Sequence, residues 1–301
     1  MARPLRYAEP WQLTELTNRT FQGRHLLRPS PRLNTLIVGI LALARERFDV
    51  RIYGFVFLSN HFHMIAAART PAELSRFMCF VMSNIAREIG RLHGWSGHFW
   101  AGRYHSIPIV DREALIGRMR YLFENGCKEG LVSHPSQWEG LQVVDALTND
   151  APLEGIWIDR TAIHQARKRV GQKVEERDFT TSLRLTLDVL PIWEDLSVED
   201  RQATASELVE EAAESFPGPR HGRVAVRTRP RSPHHRPARM KRSCAPLCHA
   251  STEALRAAFE QAYRCFVERY RGAAAILKSQ LTELGFPAHA QVLAGAVPTT
   301  G

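Results

Sequence analysis

The stretch FVFLSNHFHMIAAA, residues 55–68, sets two histidines, His61 and His63, one residue apart in an otherwise apolar run. Side chains alternate along an extended chain, so both imidazoles project from one face while Phe62 projects from the other. Phe62 can then enter a core. The imidazoles lie side by side, close enough to share one cation, and neutral imidazole is a common metal ligand. A third ligand must come from elsewhere. A second constellation lies in DREALIGRMRYLFENG, residues 111–126. Leu115, Ile116, Met119, Leu122 and Phe123 form a helical apolar stripe. Tyr121 lies off that stripe, on a face with Gly117, Arg118 and Asn125. Tyr121 and Asn125 are one turn apart, so a phenol and an amide project together. The phenol can act as a nucleophile and the amide oxygen can ligate a metal. Plainer readings exist for each pair: surface histidines on a half-buried strand, and a boundary tyrosine before an Asn-Gly helix stop.

The elements that must carry these residues follow from periodicity and punctuation. Residues 11–29 read as a strand and then a loop. Residues 31–48 place Leu33, Leu36, Ile37, Ile40 and Leu43 at helical spacing after a proline suited to a helix start. Residues 50–59 are β-branched and aromatic, hence a strand. Ser59-Asn60 makes a tight turn and 61–68 is the antiparallel partner. Residues 70–94 form a helix from a Thr cap to a Gly stop. Residues 95–110 are an aromatic loop entering a short strand, and 111–132 a helix capped by Asp111 that should break at Asn125-Gly126. The order β-α-β-β-α-β-α predicts an α+β fold: a ferredoxin-like antiparallel sheet with helices on one face.

Bulk properties narrow the function classes. The 301 residues carry a net charge of +9. Residues 220–242 hold nine Arg/Lys and no acid, and the remaining 31 basic residues match the 31 acidic ones. The excess is therefore one local tract, suited to an anionic polymer such as nucleic acid or simply to a solvated linker. No run of 18 apolar residues spans a membrane. The opening MARPLRYAEP lacks an apolar signal core, and five scattered cysteines suit a reducing cytoplasm rather than a disulfide framework. Residues 182–216 read as helical and acidic, 217–243 as a Pro/Arg linker, and 251–281 as an amphipathic helix. Cys244, Cys248 and His249, with His234 and His235 upstream, offer zinc ligands at a spacing unlike a standard finger.

Three stretches, YGFVFLSNHFHMI (53–65), GHFWAGRYHSIPI (97–109) and RYLFENGCKEGLV (120–132), together resemble the single-tyrosine HUH transposases of bacterial insertion sequences, above all their REP-associated tyrosine transposase relatives. LTNRTFQGRHLL (16–27) also has that look. The resemblance covers about residues 10–145. It implies an HUH nuclease core, with His61 and His63 as the metal-binding pair, Tyr121 as the nucleophile and Asn125 as the third ligand. Where relatives read Asn-Pro this chain has Asn125-Gly126. Tyr104 is a rival nucleophile; on a less rigid loop it is assigned instead to packing, base stacking or a phosphate. The implied reaction cuts and rejoins single-stranded DNA through a 5′-phosphotyrosine. Mg²⁺ or Mn²⁺ is implied, and Mn²⁺ better suits two imidazoles. Arg103, Arg118 and Arg120 would contact DNA, and Trp95, Phe99 and Trp100 would stack bases. The expected partner is single-stranded DNA bearing a hairpin or palindromic repeat, in the bacterial cytoplasm at the nucleoid, with monomer and homodimer both open. The domains expected are 1–145 (transposase), 146–216 (a mostly helical extension), 217–250 (basic linker) and 251–301 (C-terminal helical segment). A non-mobile relative that only binds or processes structured repeats, and an unrelated His-x-His metal hydrolase, are the rival readings.

Overall fold

The computed structural model describes residues 5–170, 174–216, 232–234 and 245–283. Residues Ala8–Arg256 form one compact unit, and Met1–Tyr7 with Ala257–Gly301 form the other.

The larger unit is built on a four-stranded sheet of β1 (Thr14–Arg19), β2 (Val50–Leu58), β3 (His61–Ala68) and β4 (His105–Pro108). The strand order is β2-β3-β1-β4, and all neighbours are antiparallel. The helices α1 (Pro31–Arg47) and α2 (Pro71–Leu92) make the two crossovers. This is the expected ferredoxin-like βαββαβ arrangement. Each helix begins where its sequence predicts. Ser30, Thr70 and Asp111 accept from the backbone N–H three residues on, at 3.2, 3.1 and 2.8 Å, to start α1, α2 and α3 (Arg112–Lys128).

The register assigns the faces. Phe62 lies opposite Phe57 and Asn18, whereas His63 lies opposite Val56 and Thr17. Asn18 reaches Met82 of α2, so α2, with α1 packed beside it, covers the Phe62 face. Phe55, Phe57, Phe62 and Phe77 are buried there with Leu16, Ile37 and Ile40. Burying each such ring is worth about 1.5–3 kcal/mol. α3 lies on the other face, where Tyr121 meets His63. The two crossover helices thus share one side, and the third helix takes the histidine side.

α3 does not break at Asn125-Gly126. Gly126 is buried inside the helix. The stop comes at Gly130, whose φ of +65° allows Gly130 N–H to donate to Cys127 O and Leu131 N–H to Gly126 O. These two bonds define a Schellman cap, and they outweigh the local Asn-Gly signal.

Residues 146–216 were expected to be mostly helical but also form a second sheet. After the short α4 (Val144–Thr148) come β5 (Leu153–Ile158), α5 (Arg160–Val170), β6 (Thr180–Leu185) and α6 (Val198–Glu214). β5 and β6 pair antiparallel and lie on α1 at very close range. A Cβ on Gly39 would fall 1.9 Å from Ile156 O, and one on Gly155 2.2 Å from Gly39 N. Arg160 grips buried Glu88 of α2 with Nε at 3.1 and 3.0 Å from its two oxygens. Of the expected linker 217–250, residues 217–231 and 235–244 lie outside the described residues. Residues 248–250 are not a linker: His249 forms a parallel bridge with Ile109 at the β4 edge.

The smaller unit takes α7 (Glu253–Glu283) from Ala257 on, with Phe259, Tyr263 and Phe266 around Tyr7 and Tyr7 stacked on Phe266 at 5.0 Å. Tyr263 Oη donates to Leu5 O at 3.3 Å.

Candidate active site on the histidine face

β3 delivers His61 and His63 to one face, ring centroids 5.3 Å apart and nearly perpendicular. Hydrogen bonds identify which nitrogen of each ring carries a proton. Asn60 Nδ2 donates to Gly23 O, so Asn60 Oδ1 is a true acceptor, and it lies 2.7 Å from His61 Nδ1. His61 Nδ1 must therefore donate. Burial first, then the neighbouring His63 and Arg19, pushes His61 well below the usual imidazole range. His61 is thus neutral at pH 7 and presents Nε2 as a lone pair. His63 Nδ1 lies 2.8 Å from Glu15 Oε1, and a carboxylate can only accept, so this nitrogen donates too. A ligand-bearing imidazole is commonly oriented in this way by a carboxylate or an amide oxygen.

Glu15, on the adjacent β1, organises the cluster. It is 2% exposed. Besides His63 it accepts from Arg118 Nη2 at 2.9 Å and from His249 Nε2 at 2.5 Å. Burial alone would raise its carboxyl, but the hydrogen bonds from His249 and His63 and the attraction of His63 and Arg118 outweigh that. They hold it well below the usual carboxylate range. Glu15 is therefore an ionised anchor whose oxygens are already spent on three donors.

α3 brings the phenol. The Tyr121 ring meets His63 edge-on, centroids 5.1 Å apart at 78°. The Arg118 guanidinium lies 3.9 Å from the ring centroid, and Lys128 Nζ 4.7 Å. Burial raises the Tyr121 pKa above the ordinary phenol value; Arg118 pulls it back, while Glu15 and Glu129 add to the rise. Tyr121 is thus a neutral phenol at pH 7, beside a cation that favours its ionised form. Asn125 is buried, and its Nδ2 donates to Tyr121 O at 2.5 Å. That bond uses the amide nitrogen, so the oxygen is the end left for another partner.

Imidazole nitrogens such as the His61 Nε2 lone pair, and amide oxygens such as that of Asn125, are donors suited to a divalent cation that completes its shell with water or phosphate oxygen. Among the described residues no three His, Cys, Asp or Glu side chains converge on a metal position. A site here must then use the amide or ligands from the substrate. The zinc alternative finds no support among the described residues: His249 is bonded to Glu15, His234 packs on Trp95, and Cys244 and His235 lie outside them.

The other expected DNA contacts are distributed differently. Arg118 joins the cluster. Arg120 does not; it pairs with Glu211 of α6. Arg103 is exposed on the loop before β4. Tyr104 is buried. Trp100 belongs to the opposite face, edge-on to Phe62 at 5.6 Å with its indole N–H on Met82 O, which removes it as a stacking platform beside the histidines. Trp95 is covered by Arg24 at 5.1 Å and His234 at 5.5 Å. Two members of the cluster were not anticipated. Glu15 leaves one local trace, an acid in a strand. His249, 234 positions from its partner, leaves none.

No helix among the described residues is long and apolar enough to cross a membrane. No family model matches the chain, and no curated protein does. Solved structures similar to part of it include the following two. One is the structure of a REP-associated tyrosine transposase bound to a REP hairpin: 16% identity, TM-score 0.41, covering 48% of this chain and 82% of that one. The other is a candidate transposase from Deinococcus radiodurans: 16% identity, TM-score 0.28, covering 42% of this chain and 97% of that one. Both descriptions name transposases.

Proposed function

We propose that His61, His63, Tyr121 and Asn125 form the centre of a transposase-like enzyme that cuts and rejoins single-stranded DNA. The observation that carries this reading is the Tyr121 ring seated against His63, whose Nδ1 is tied to Glu15. A phenol set between an oriented imidazole and a guanidinium is suited to attack on a phosphodiester.

In the proposed reaction Tyr121 Oη attacks the phosphorus in line and the bond to the 3′ oxygen breaks. The phenol proton is lost and the departing oxygen takes one up, leaving a 5′-phosphotyrosine and a free 3′-OH. The exchange conserves one phosphodiester, so a 3′-OH can reverse it and join strands without another energy source. Arg118 offsets the charge that develops on the phenol oxygen. Glu15 and Asn60 keep His63 and His61 oriented. His61, His63 and Asn125 would hold Mg²⁺ or Mn²⁺, which when bound would polarise the phosphate and lower the barrier to attack.

The test uses the full chain, Mn²⁺ and a single-stranded oligonucleotide bearing a hairpin. The parent should form a covalent adduct that survives denaturing electrophoresis. Tyr121→Phe should lose the adduct while retaining binding and its unfolding midpoint. Cutting by Tyr121→Phe at the parent rate overturns the reading.

A further inference from the structure

Beside the Tyr121 cluster lies a cleft of about 340 Å³, within the range of small-ligand sites. Gly117 and Arg118 of α3 form one wall, and Cys248, His249 and Arg256 the other. The second wall is fixed to the sheet: Val110 N–H donates to His249 O at 3.0 Å, His249 N–H to Pro108 O at 2.8 Å, and Ser251 N–H to Asp111 Oδ2 at 2.8 Å.

Three features give the cleft a chemistry. Two arginines line it, and the nearby Glu15 is buried and already holds three donors. The Arg118 side chain keeps 19% of its surface exposed, although Nη2 of its guanidinium is bonded to Glu15. Gly117 leaves the wall open, since a Cβ there would meet nothing within 4 Å. Two partly exposed guanidinium groups lining one cleft suit an anionic oxygen group.

We infer that this cleft binds a backbone phosphate of the single strand, next to the phosphate attacked by Tyr121. The inference rests on the reading above, because Arg118 both lines the cleft and lies over the Tyr121 ring. The contact carries no base information; it fixes the register of the strand. His249 and Arg256, which lie beyond the basic tract, would then be part of the nucleic-acid interface.

The experiment is an anisotropy titration of the full chain against a labelled hairpin-bearing oligonucleotide in EDTA, repeated across NaCl concentrations. Arg256→Ala should weaken binding about tenfold and make the log K against log salt slope shallower by about 1. Gly117→Glu, whose Cβ meets nothing within 4 Å and which improves helix propensity, should weaken binding by at least as much. Arg184→Ala, on the exposed β6 and paired with Glu154, should change neither quantity. Parental affinity and slope in both cleft variants overturn the inference, even if the parent forms the Tyr121 adduct. Weakened binding in both variants upholds the cleft, even if the parent forms no adduct and the strand-cutting reading falls.

Discussion

The two faces of the central sheet are built from alternate residues of the same strands and do opposite work. Phe62 enters a dry layer under α1 and α2; its neighbours His61 and His63 enter a polar layer under α3. On the first face stability comes from apolar area and tight packing. On the second it depends on every donor finding its acceptor, because a buried polar group left alone is costly. Packing can tolerate conservative exchange at Phe62. The Glu15 network cannot lose a member without leaving a charge or a donor stranded.

That contrast can be broken experimentally. The largest expected loss of stability is for Phe62→Ala, about 3–5 kcal/mol by urea unfolding, with adduct yield per folded molecule retained. His63→Ala should show the reverse: about 1–2 kcal/mol lost and the adduct gone. If Phe62→Ala abolishes chemistry in the folded fraction, or His63→Ala spares it, the division of labour is wrong.

Next comes Glu15→Gln, expected to cost about 3 kcal/mol by stranding Arg118 and the two histidines. Its pH signature has a definite sign. A carboxyl whose folded pKa is depressed stabilises fully above its unfolded value, near 4.3, and the benefit is lost as pH falls through the folded value. The parent should therefore lose stability steeply below about pH 4.3, and Glu15→Gln should flatten that limb. An unchanged acid limb would mean Glu15 is not the ionised anchor.

Gly39→Ala is the smallest change in atoms, about 1–3 kcal/mol, because one methyl must displace the Ile156 backbone. It tests whether the β5–β6 hairpin is held on α1 by that close approach. A neutral effect on the unfolding midpoint would show that the hairpin can shift.

Much of this architecture was legible beforehand, residue by residue. Period-two alternation placed His61 and His63 together and Phe62 apart. The caps Ser30, Thr70 and Asp111 announced three helix starts. Tyr121 was assigned to the helix face it occupies. The misreadings share a cause. Asn125-Gly126 looks like a stop, yet tertiary burial and the downstream Gly130 cap carry the helix past it. Arg120 looked available for DNA, yet Glu211, 91 positions later, captures it. Trp100 looked like a stacking platform, yet it packs under Phe62.

The amino-acid order by itself determined what short-range physics controls: which residues are extended or helical, which side chains share a face, and where each element begins. Only the tertiary structure decided which distant groups meet. It joined Glu15 to His249, set β5–β6 on α1 and opened the arginine-lined cleft. Such pairings depend on chain closure and packing across hundreds of positions, and no local period encodes them.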